Sequence, residues 1–342
     1  MSEDKDKTKK EEATAPTEHA EAVDFKELAD IKGIGPDTIS KLKGIGINTL
    51  EALAMSTLLE LKEAGIGEER AERLISEARD TISIPFITAA EFAKRQLKVL
   101  RLTTSSKKLD ELLGGGVESQ TITEFYGEYE SGKSQICHQL CVNVQLPLER
   151  GGLDGAALYI DTESTFRTER ITAMAKALGL DVTQVCEKII FAEALTSDHQ
   201  VHLLEIADEV IKKHNIKLIV IDSLTSHFRS EYLGREMLAP RQQKLNKHLY
   251  RLARLAKAFN IIAVVTNQVM AQPDSFFGDP TKAIGGHILS HTAHNIIHLR
   301  RSRPPLRIAK LVASPYLPEG EVPFKIMEDG IRDVSEDELK KK

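Results

Sequence analysis

The segment Ile122-Thr123-Glu124-Phe125-Tyr126-Gly127-Glu128-Tyr129-Glu130-Ser131-Gly132-Lys133-Ser134 decides the fold of this chain. It is an apolar strand pattern that runs into G-x-x-x-x-G-K-S, the sequence of a phosphate-binding P-loop. In such a loop backbone N–H groups surround the β-phosphate, and the next helix adds the positive end of its dipole. Apolar Ile136, Leu140 and Val144 predict a helix over residues 135–146. This context favours nucleotide binding over a chance glycine-rich turn.

The loop and a second strand together predict ATP and Mg²⁺ as cofactors. Lys133 reaches the β- and γ-phosphates, and the Ser134 hydroxyl can bind Mg²⁺. The apolar run Leu218–Asp222 ends in an acid, which in a P-loop fold supports the Mg²⁺ shell, usually through water. The predicted nucleotide-binding loop consists of Gly127, Glu128, Tyr129, Glu130, Ser131, Gly132, Lys133, Ser134 and Gln135.

Two further strand patterns end in groups suited to γ-phosphate chemistry. Glu163, after the strand that ends at Asp161, is the natural candidate to activate the attacking water. Alternatively, these two acids merely cap the following helix, and Asp161 is the better candidate for that role. Gln268 follows a third strand and can hydrogen-bond a γ-phosphate. The segment after it, 269–283, is predicted to be a loop.

Composition defines the class of protein. The chain has 342 residues, is 41% hydrophobic and 28% charged, and is long enough for two or more domains. It has no apolar run of about 18 residues and no signal-like N-terminus, so we expect a cytoplasmic, nucleoid-associated protein with no membrane partner. Cys137 and Cys141, four residues apart on the helix after the P-loop, are expected to be small buried hydrophobes rather than part of a disulfide framework.

Charge is unevenly distributed along the chain. The net charge is −5, but residues 1–24 hold eight acids and four lysines and account for −4 of it. The remainder is nearly neutral with local basic stripes, so nucleic-acid binding is not excluded. Residues 1–22 are polar and have little to bury, which predicts a disordered acidic tail.

Residues 23–80 predict a small all-α domain that contains a repeated G-I-G turn. Each turn joins two helices and exposes backbone N–H groups, an arrangement suited to a DNA phosphate. A tight glycine turn within a small bundle is the alternative. The glycines concerned are Gly33, Gly35, Gly65 and Gly67.

The rest of the chain predicts an α/β core at residues 101–333, joined by a linker at 81–100 and followed by a frayed tail at 334–342. The last three strand candidates follow one another closely and are expected to be antiparallel. Candidate strands are Ile122–Tyr126, Ala157–Asp161, Ile189–Ala192, Leu218–Asp222, Ile261–Thr266, Asn295–Leu299, Arg307–Val312 and Val322–Ile326.

Over about residues 25–333 the chain resembles the archaeal branch of the RecA family of strand-exchange recombinases. The resemblance implies a RecA-like P-loop ATPase core, a helix-hairpin-helix domain, and an ATP-dependent filament that pairs homologous DNA strands. It rests on Gly127–Gln135, Tyr159–Arg170, Asp222–Arg235, Ala239–His248, Thr266–Met270, Gly285–His287 and Leu317–Glu321.

The resemblance also implies specific roles for residues outside the P-loop. Arg170 matches an arginine that stacks on adenine, while Pro318 and His291 match positions that reach the neighbouring subunit's nucleotide. Phe86 and Ala89 fit the F-x-x-A polymerisation motif, although Phe86 could also be a linker residue packed on its own domain. The first DNA-binding loop and its flank match Arg229, Tyr232, Arg235 and Arg241, and the second loop matches residues 269–286, including Phe276 and Phe277.

Exposed aromatic side chains such as Phe276 and Phe277 suit stacking on single-stranded bases, although two core phenylalanines are the simpler alternative. Three positions depart from the family pattern. Glu130 stands where archaeal relatives usually have Gly, Ser164 replaces a usual Gly or Asn, and Ala313 stands where the family commonly has Asp. Glu130 could weaken nucleotide binding by charge repulsion, and Ala313 puts a cation effect in doubt.

These features and the resemblance predict a DNA-dependent ATPase that forms filaments on single-stranded DNA and exchanges strands. Its expected partners are single-stranded and double-stranded DNA, further copies of the same chain, and possible recombination mediators. A recombinase paralogue or mediator that binds ATP and DNA without strand exchange is the alternative. A hexameric RecA-fold motor fits the DNA loops and the Phe86 motif poorly. A DNA-binding module with a vestigial nucleotide site would require the loss of Lys133, Glu163 or Asp222, and all three are present.

Overall fold

A computed structural model describes residues 28, 31, 34–47, 49–82, 88–271, 281–283, 292–335 and 338. Outside this set lie the predicted disordered tail and the predicted site residues Gly33, Phe86, Phe276, Phe277 and His291. In the described residues no helix is both long enough and apolar enough to cross a membrane.

The N-terminal domain is a small helical bundle with a core of its own. Leu42, Leu53, Leu61 and Leu74 are almost fully buried at its centre. A capping box at Thr57, in which the side chains and backbones of Thr57 and Glu60 bond reciprocally, fixes the start of the third helix. The helices are α1 Pro36–Gly44, α2 Leu50–Ala54, α3 Leu58–Glu63 and α4 Glu68–Ile82.

A large mixed sheet forms the centre of the core domain. Nine of the described strands build it in the order β13-β12-β11-β10-β3-β7-β6-β4-β5, and the six from β10 to β5 run parallel. The strands are β1 Arg101–Leu102, β2 Val117–Glu118, β3 Ile122–Gly127, β4 Ala156–Asp161, β5 Ile189–Glu193, β6 Ile216–Asp222, β7 Ile262–Asn267, β8 Val269–Ala271, β9 Thr281–Ala283, β10 Asn295–Arg301, β11 Leu306–Ala313, β12 Gly320–Met327 and β13 Gly330–Asp333.

Helices cover both faces of the sheet, and every residue of β3, β4 and β7 is buried as a result. One core cluster packs against α7 and α8, and the other packs against α10 to α13. The helices are α5 Ala89–Gln96, α6 Lys107–Leu112, α7 Lys133–Asn143, α8 Thr168–Ala177, α9 Val182–Glu187, α10 Ser197–Glu205, α11 Ala207–His214, α12 Ser226–Glu231 and α13 Leu238–Ala258.

The helical bundle docks on α13 and on the end of α10. Arg254 contacts Glu60 at 3.0 Å, and Lys247 contacts Glu63 at 3.0 Å. Gly46 has a φ of +73°, and a Cβ at this position would lie 2.7 Å from the backbone oxygen of Glu205. The turn after α1 therefore needs glycine both for its conformation and for its close approach to the core.

All eight predicted core strands are present, with boundaries shifted by no more than two residues. The last three are antiparallel to one another as predicted, but β10 also pairs parallel with β3. Pattern reading missed the two-residue strands β1 and β2, the short edge strand β13, and helix α5 within the linker. The prediction of a loop over 269–283 is wrong at its ends, because β8 and β9 pair there as an antiparallel ribbon.

Candidate functional site

The P-loop is built by two glycines that no other residue could replace without a shift of the backbone. A Cβ on Gly127 would lie 2.2 Å from the backbone oxygen of Leu299. Gly132 has a φ of +106° and caps α7, and a Cβ there would lie 2.6 Å from Ile326 Cδ1. The first turn of α7 carries no acidic residue. The helix therefore presents its positive end to the loop without competition from a carboxylate.

Lys133 lies over this loop. Its Nζ donates to the backbone oxygens of Gly127 at 3.0 Å and Glu128 at 2.8 Å. Burial lowers the pKa of the Lys133 ammonium, and the charges of Asp222 and Glu163 act in the opposite direction. The ammonium thus lies close enough to both predicted acids to interact with their charges. Such a position suits a lysine that binds the phosphates of a metal-bound nucleotide.

Asp222 ends β6 in a buried position, with only 2% of its surface exposed. Tyr159 Oη donates to its Oδ2 at 2.6 Å, and Thr266 Oγ1 donates to its Oδ1. Burial raises the pKa of Tyr159 well above its usual value, and the nearby Asp222 charge adds to the effect. Since both carboxylate oxygens already accept a hydrogen bond, contact with a cation through water suits this side chain.

Glu163 and Gln268 meet at the mouth of the site. Ser223 Oγ donates to Glu163 Oε1 at 2.7 Å, and Gln268 Nε2 donates to the same oxygen at 3.0 Å. Gln268 Oε1 accepts from Arg229 Nη1 at 3.4 Å. One amide therefore connects the predicted catalytic carboxylate with the predicted DNA-binding segment.

Asp161 does not cap the following helix. Its Oδ1 accepts from the Glu163 backbone N–H at 3.0 Å and its Oδ2 from the Phe166 N–H at 2.9 Å. Helix α8 begins later, at Thr168, and its N-cap residue Arg167 makes no capping bond through its side chain. Asp161 instead holds the turn that carries Glu163, because a carboxylate placed directly after a strand reaches the nearest free N–H groups first.

A cleft of about 660 Å³ joins these groups. The P-loop lines it together with Glu163, Arg170, Asp222 and Gln268, so most of the predicted nucleotide residues converge on one space. Ser131 is the exception within the loop, because it is fully buried beneath it. Arg170 lies at the rim, where it donates to Gln135 Oε1 at 2.8 Å and to the backbone oxygens of Met327 and Glu328.

Pro318 is exposed and does not line this cleft, which separates it from Arg170 of the same chain. Glu130 adopts a φ of +62°, a conformation that favours glycine. Its carboxylate faces Arg301 at 3.7 Å, and Arg307 Nε donates to its backbone oxygen at 3.1 Å. Arg301, which also contacts Glu128 at 3.5 Å, therefore offsets only part of the charge that this departure from the family pattern introduces.

The oxygen donors of the cleft suit Mg²⁺. Ser134 supplies a hydroxyl and Asp222 a carboxylate, and Mg²⁺ prefers such hard ligands while it retains several waters and phosphate oxygens. No group of three or more His, Cys, Asp or Glu in the described part of the chain could hold a metal by itself. The site is therefore of the kind that holds Mg²⁺ jointly with a nucleotide.

The predicted DNA-binding residues lie on and after α12. Arg229 is half-buried on this helix, Arg235 is exposed in the connection to α13, and Arg241 is half-buried on the first turn of α13. Tyr232 Oη accepts from Lys244 Nζ at 2.9 Å. This lysine, which also contacts Asp198 at 2.7 Å, was not predicted from the sequence.

The second G-I-G turn joins α3 to α4 as predicted, and Gly65 has a φ of +73°. Gly65 and Gly67 are exposed, and Gly35 caps α1. Helix α4, however, begins with Glu68 and Glu69, whose charges oppose a phosphate at this end. DNA contact by these glycines stays a prediction.

The last residue of the predicted polymerisation motif, Ala89, begins helix α5. Ala89 is exposed at the first position of this helix, whereas Phe86 lies outside the described residues. Among the strands that the structure describes, β5 forms an edge of the large sheet, with Phe191 46% exposed. Unpaired edge strands are sites where another chain can add a strand.

The fold and this cleft define a P-loop protein with a helix-hairpin-helix domain at its N-terminus. Residues 94–334 match the family model Rad51, and residues 25–80 match a SAM-like helix-hairpin-helix tandem. The chain therefore belongs to the Rad51 family of RecA-like recombinases, which confirms the family and fold class predicted from the sequence.

Curated relatives agree with this membership. The chain is 53% identical to the DNA repair and recombination protein RadA of Metallosphaera sedula, in an alignment that covers 91% of this chain and 97% of the relative. It is 50% identical to the protein of the same name from Aeropyrum pernix, over 91% of this chain and 98% of the relative. The corresponding protein of Ignicoccus hospitalis is 52% identical over 90% and 95%.

Proposed function

We propose that this chain is an ATP-dependent DNA strand-exchange recombinase of homologous recombination and repair, and that DNA stimulates its ATPase. The observation that carries the proposal is the position of Gln268, whose amide contacts both Glu163 and Arg229. A γ-phosphate in the cleft and a DNA strand on α12 would act on the same side chain. A filament whose grip on DNA depends on ATP requires such a connection between the nucleotide site and the DNA-binding residues.

Nucleotide binding follows from the loop and the rim of the cleft. Backbone N–H groups of residues 127–134 and the Lys133 ammonium would hold the phosphates, and Arg170, which also lines the cleft, would stack on the base. Ser134 would hold Mg²⁺ through its hydroxyl, and Asp222 would support the ion through water. When bound, the ion neutralises charge on the β- and γ-phosphates.

Hydrolysis would depend on Glu163. This carboxylate is exposed toward the cleft and accepts hydrogen bonds from Ser223 and Gln268, which orient it. It would take the proton of the attacking water, and Gln268 would contact the γ-phosphate. These partners keep Glu163 in the cleft near Lys133, so the base and the phosphate-binding cation act on one group.

DNA binding would rest on phosphate contacts and base stacking rather than on base-edge recognition, because a strand-exchange protein must accept any sequence. Arg229, Tyr232, Arg235 and Arg241 would contact one strand. Phe276 and Phe277 would stack on or between its bases. Single-stranded and double-stranded DNA are thus the expected partners, with the glycine turns of the N-terminal domain as a further contact.

Self-association would complete the nucleotide site. The exposed edge β5 could accept the segment that contains Phe86, and Ala89 is exposed beside it in sequence. Pro318 and His291 of a neighbouring subunit would then face the nucleotide bound by Arg170 and Lys133. The exposure of Pro318, away from its own cleft, supports this arrangement.

A strand-exchange assay tests the proposal. The purified chain, ATP, Mg²⁺, circular single-stranded DNA and a homologous linear duplex should give joint molecules. Lys133→Ala and a non-homologous duplex should give none. Binding of ATP and DNA by the parent without any joint molecules would favour a paralogue or mediator instead.

A further inference from the structure

A buried carboxylate, Glu124, has no role in the chemistry described above. It lies on β3, three residues before the P-loop, and only 1% of its surface is exposed. Residues Ile122 and Tyr126 of the same strand face belong to the core cluster beneath α12 and α13, together with Phe228 and Leu245. Glu124 therefore points toward the helices that carry the DNA-binding residues rather than toward α7.

Glu124 is joined to Asn267, the last residue of β7. Asn267 Nδ2 donates to Glu124 Oε1 at 2.9 Å, and Asn267 is fully buried. On the other side of the amide, Asn267 Oδ1 accepts from Thr225 Oγ1 at 2.7 Å and from the Gln268 backbone N–H at 2.9 Å. All four groups belong to one connected network.

The chemistry of the pair fixes the orientation of the amide. An asparagine side chain can turn so that its oxygen and nitrogen exchange places, and only its neighbours decide between the two arrangements. The Glu124 carboxylate opposite Nδ2 and the Gln268 N–H opposite Oδ1 both favour the arrangement in which the amide oxygen faces Thr225 and Gln268. Loss of this acceptor would remove a buried hydrogen bond to a carboxylate, a stronger kind of bond than one between two neutral groups.

The two groups that Asn267 holds lie at the ends of the ATP–DNA connection. Thr225 is the N-cap residue of α12, which carries Arg229. Gln268 reaches Glu163 on one side and Arg229 on the other. A shift in Asn267 would therefore move the γ-phosphate contact and the first DNA loop together.

We propose that Glu124 is a positioning residue that couples the nucleotide site to the first DNA loop, because it anchors the Asn267 amide that holds Gln268 and the start of α12. This inference rests on the proposed function. It predicts that loss of the acceptor at position 124 uncouples ATP from DNA while each ligand still binds.

The measurement is the affinity for a fluorescent single-stranded oligonucleotide, by anisotropy, with ADP and with a non-hydrolysable ATP analogue. The dissociation constant for DNA with ADP, divided by that with the ATP analogue, reports the coupling directly. In Glu124→Leu the ratio should fall about tenfold toward one. Glu124→Gln keeps an acceptor for Asn267 and should stay within about twofold of the parent. Thr225→Val removes one arm of the network and should lower the ratio to an intermediate value.

Thr123→Val is the matched control. Thr123 is fully buried on the same strand, faces the opposite side, and its hydroxyl has no partner within the described part of the chain. The ratio of DNA dissociation constants in Thr123→Val should equal that of the parent. This control separates loss of coupling from a general loss of stability.

A parental ratio in folded Glu124→Leu would overturn the inference. If that variant does not fold by circular dichroism, Thr225→Val decides, and an unchanged ratio there overturns it equally. A parent that binds DNA equally with both nucleotides would instead contradict the proposed function, and this inference with it.

Discussion

Gln268 Nε2 lies 3.0 Å from Glu163 Oε1, and the two residues follow different strands of the central sheet, β7 and β4. The carboxyl ends of β4, β6 and β7 meet at one edge, so residues that follow these strands come together although they are far apart in sequence. The opposite end of the Gln268 amide contacts Arg229. The orientation of one side chain thus relates the hydrolytic carboxylate to the DNA-binding helix.

Glu163→Gln should bind ATP with nearly parental affinity but lose most of its hydrolysis, about 10²-fold or more, because an amide cannot take the proton of water. Phosphate release with single-stranded DNA measures turnover, and a fluorescent nucleotide measures binding. Lys133→Ala is the companion variant, in which turnover should vanish as the γ-phosphate loses its charge partner. Turnover of Glu163→Gln at the parental rate would show that another group is the base.

Phe86→Glu should make the protein monomeric. If Phe86 inserts into an apolar socket of a neighbour, an unpaired carboxylate there costs several kcal/mol. Light scattering at a series of protein concentrations gives the oligomeric state, and electron microscopy shows whether DNA is still coated. Phe92→Glu is a suitable control, since Phe92 is 53% exposed on α5. An oligomer profile like that of the parent would return Phe86 to the role of a linker residue.

Arg229→Ala and Arg235→Ala should weaken binding to single-stranded DNA about equally for all sequences. Each should also lower the slope of log affinity against log salt by roughly 0.7, as expected for one lost phosphate contact on a single strand. Replacement of Phe276 and Phe277 by Ala should instead leave that slope unchanged and impair strand exchange more than binding. Loss of affinity for only some sequences in the arginine variants would contradict contact with the backbone.

Mixed subunits should complement each other if the ATP site is shared. Lys133→Ala lacks the phosphate contact of its own cleft, and His291→Ala lacks the contact it would make across the interface, so a mixture forms some complete sites. ATPase activity per subunit should also rise with protein concentration, because a ligand of the assembled state favours assembly. A rate independent of concentration, without complementation, would exclude a shared site.

We further expect weaker activation by salt cations than in relatives with Asp at the position of Ala313.

Glu124 should make stability depend on pH. Burial raises the pKa of its carboxyl from 4.5 to about 7, although the hydrogen bond from Asn267 acts in the opposite direction. A raised acid pKa favours the protonated folded state, so the contribution of Glu124 to stability is fully present below pH 4.5 and is lost as the pH rises through about 7. By this linkage Glu124→Gln should gain ~3 kcal/mol relative to the parent between about pH 4 and pH 8. Denaturant unfolding of both proteins at the two pH values measures this difference in the free energy of unfolding. The same difference at both pH values would contradict a buried titrating carboxyl.

The sequence predicts the central sheet well because its buried strands are continuous apolar runs with few alternatives, as in Leu218–Asp222. The P-loop, Asp222 and Glu163 are predicted for a related reason, since each lies at or just after the end of such a strand. Tyr159, Thr266 and Asn267 lie within strands, where nothing local shows which polar side chains meet across the sheet. Arg301, which faces Glu130, lies 171 residues further along the chain, and only the parallel pairing of β10 with β3 brings the two together.

The docking of the helical bundle on α13 has a practical consequence for truncated forms of this protein. Removal of residues 1–82 would take away Glu60 and Glu63 and leave Arg254 and Lys247 exposed without their acidic partners. Such a form would present an artificial basic face, which attracts polyanions of any sequence and releases counterions as it does so. Affinity for heparin, tRNA or DNA measured on an isolated ATPase core would then include positive charges that acids of the helical bundle neutralise in the whole chain.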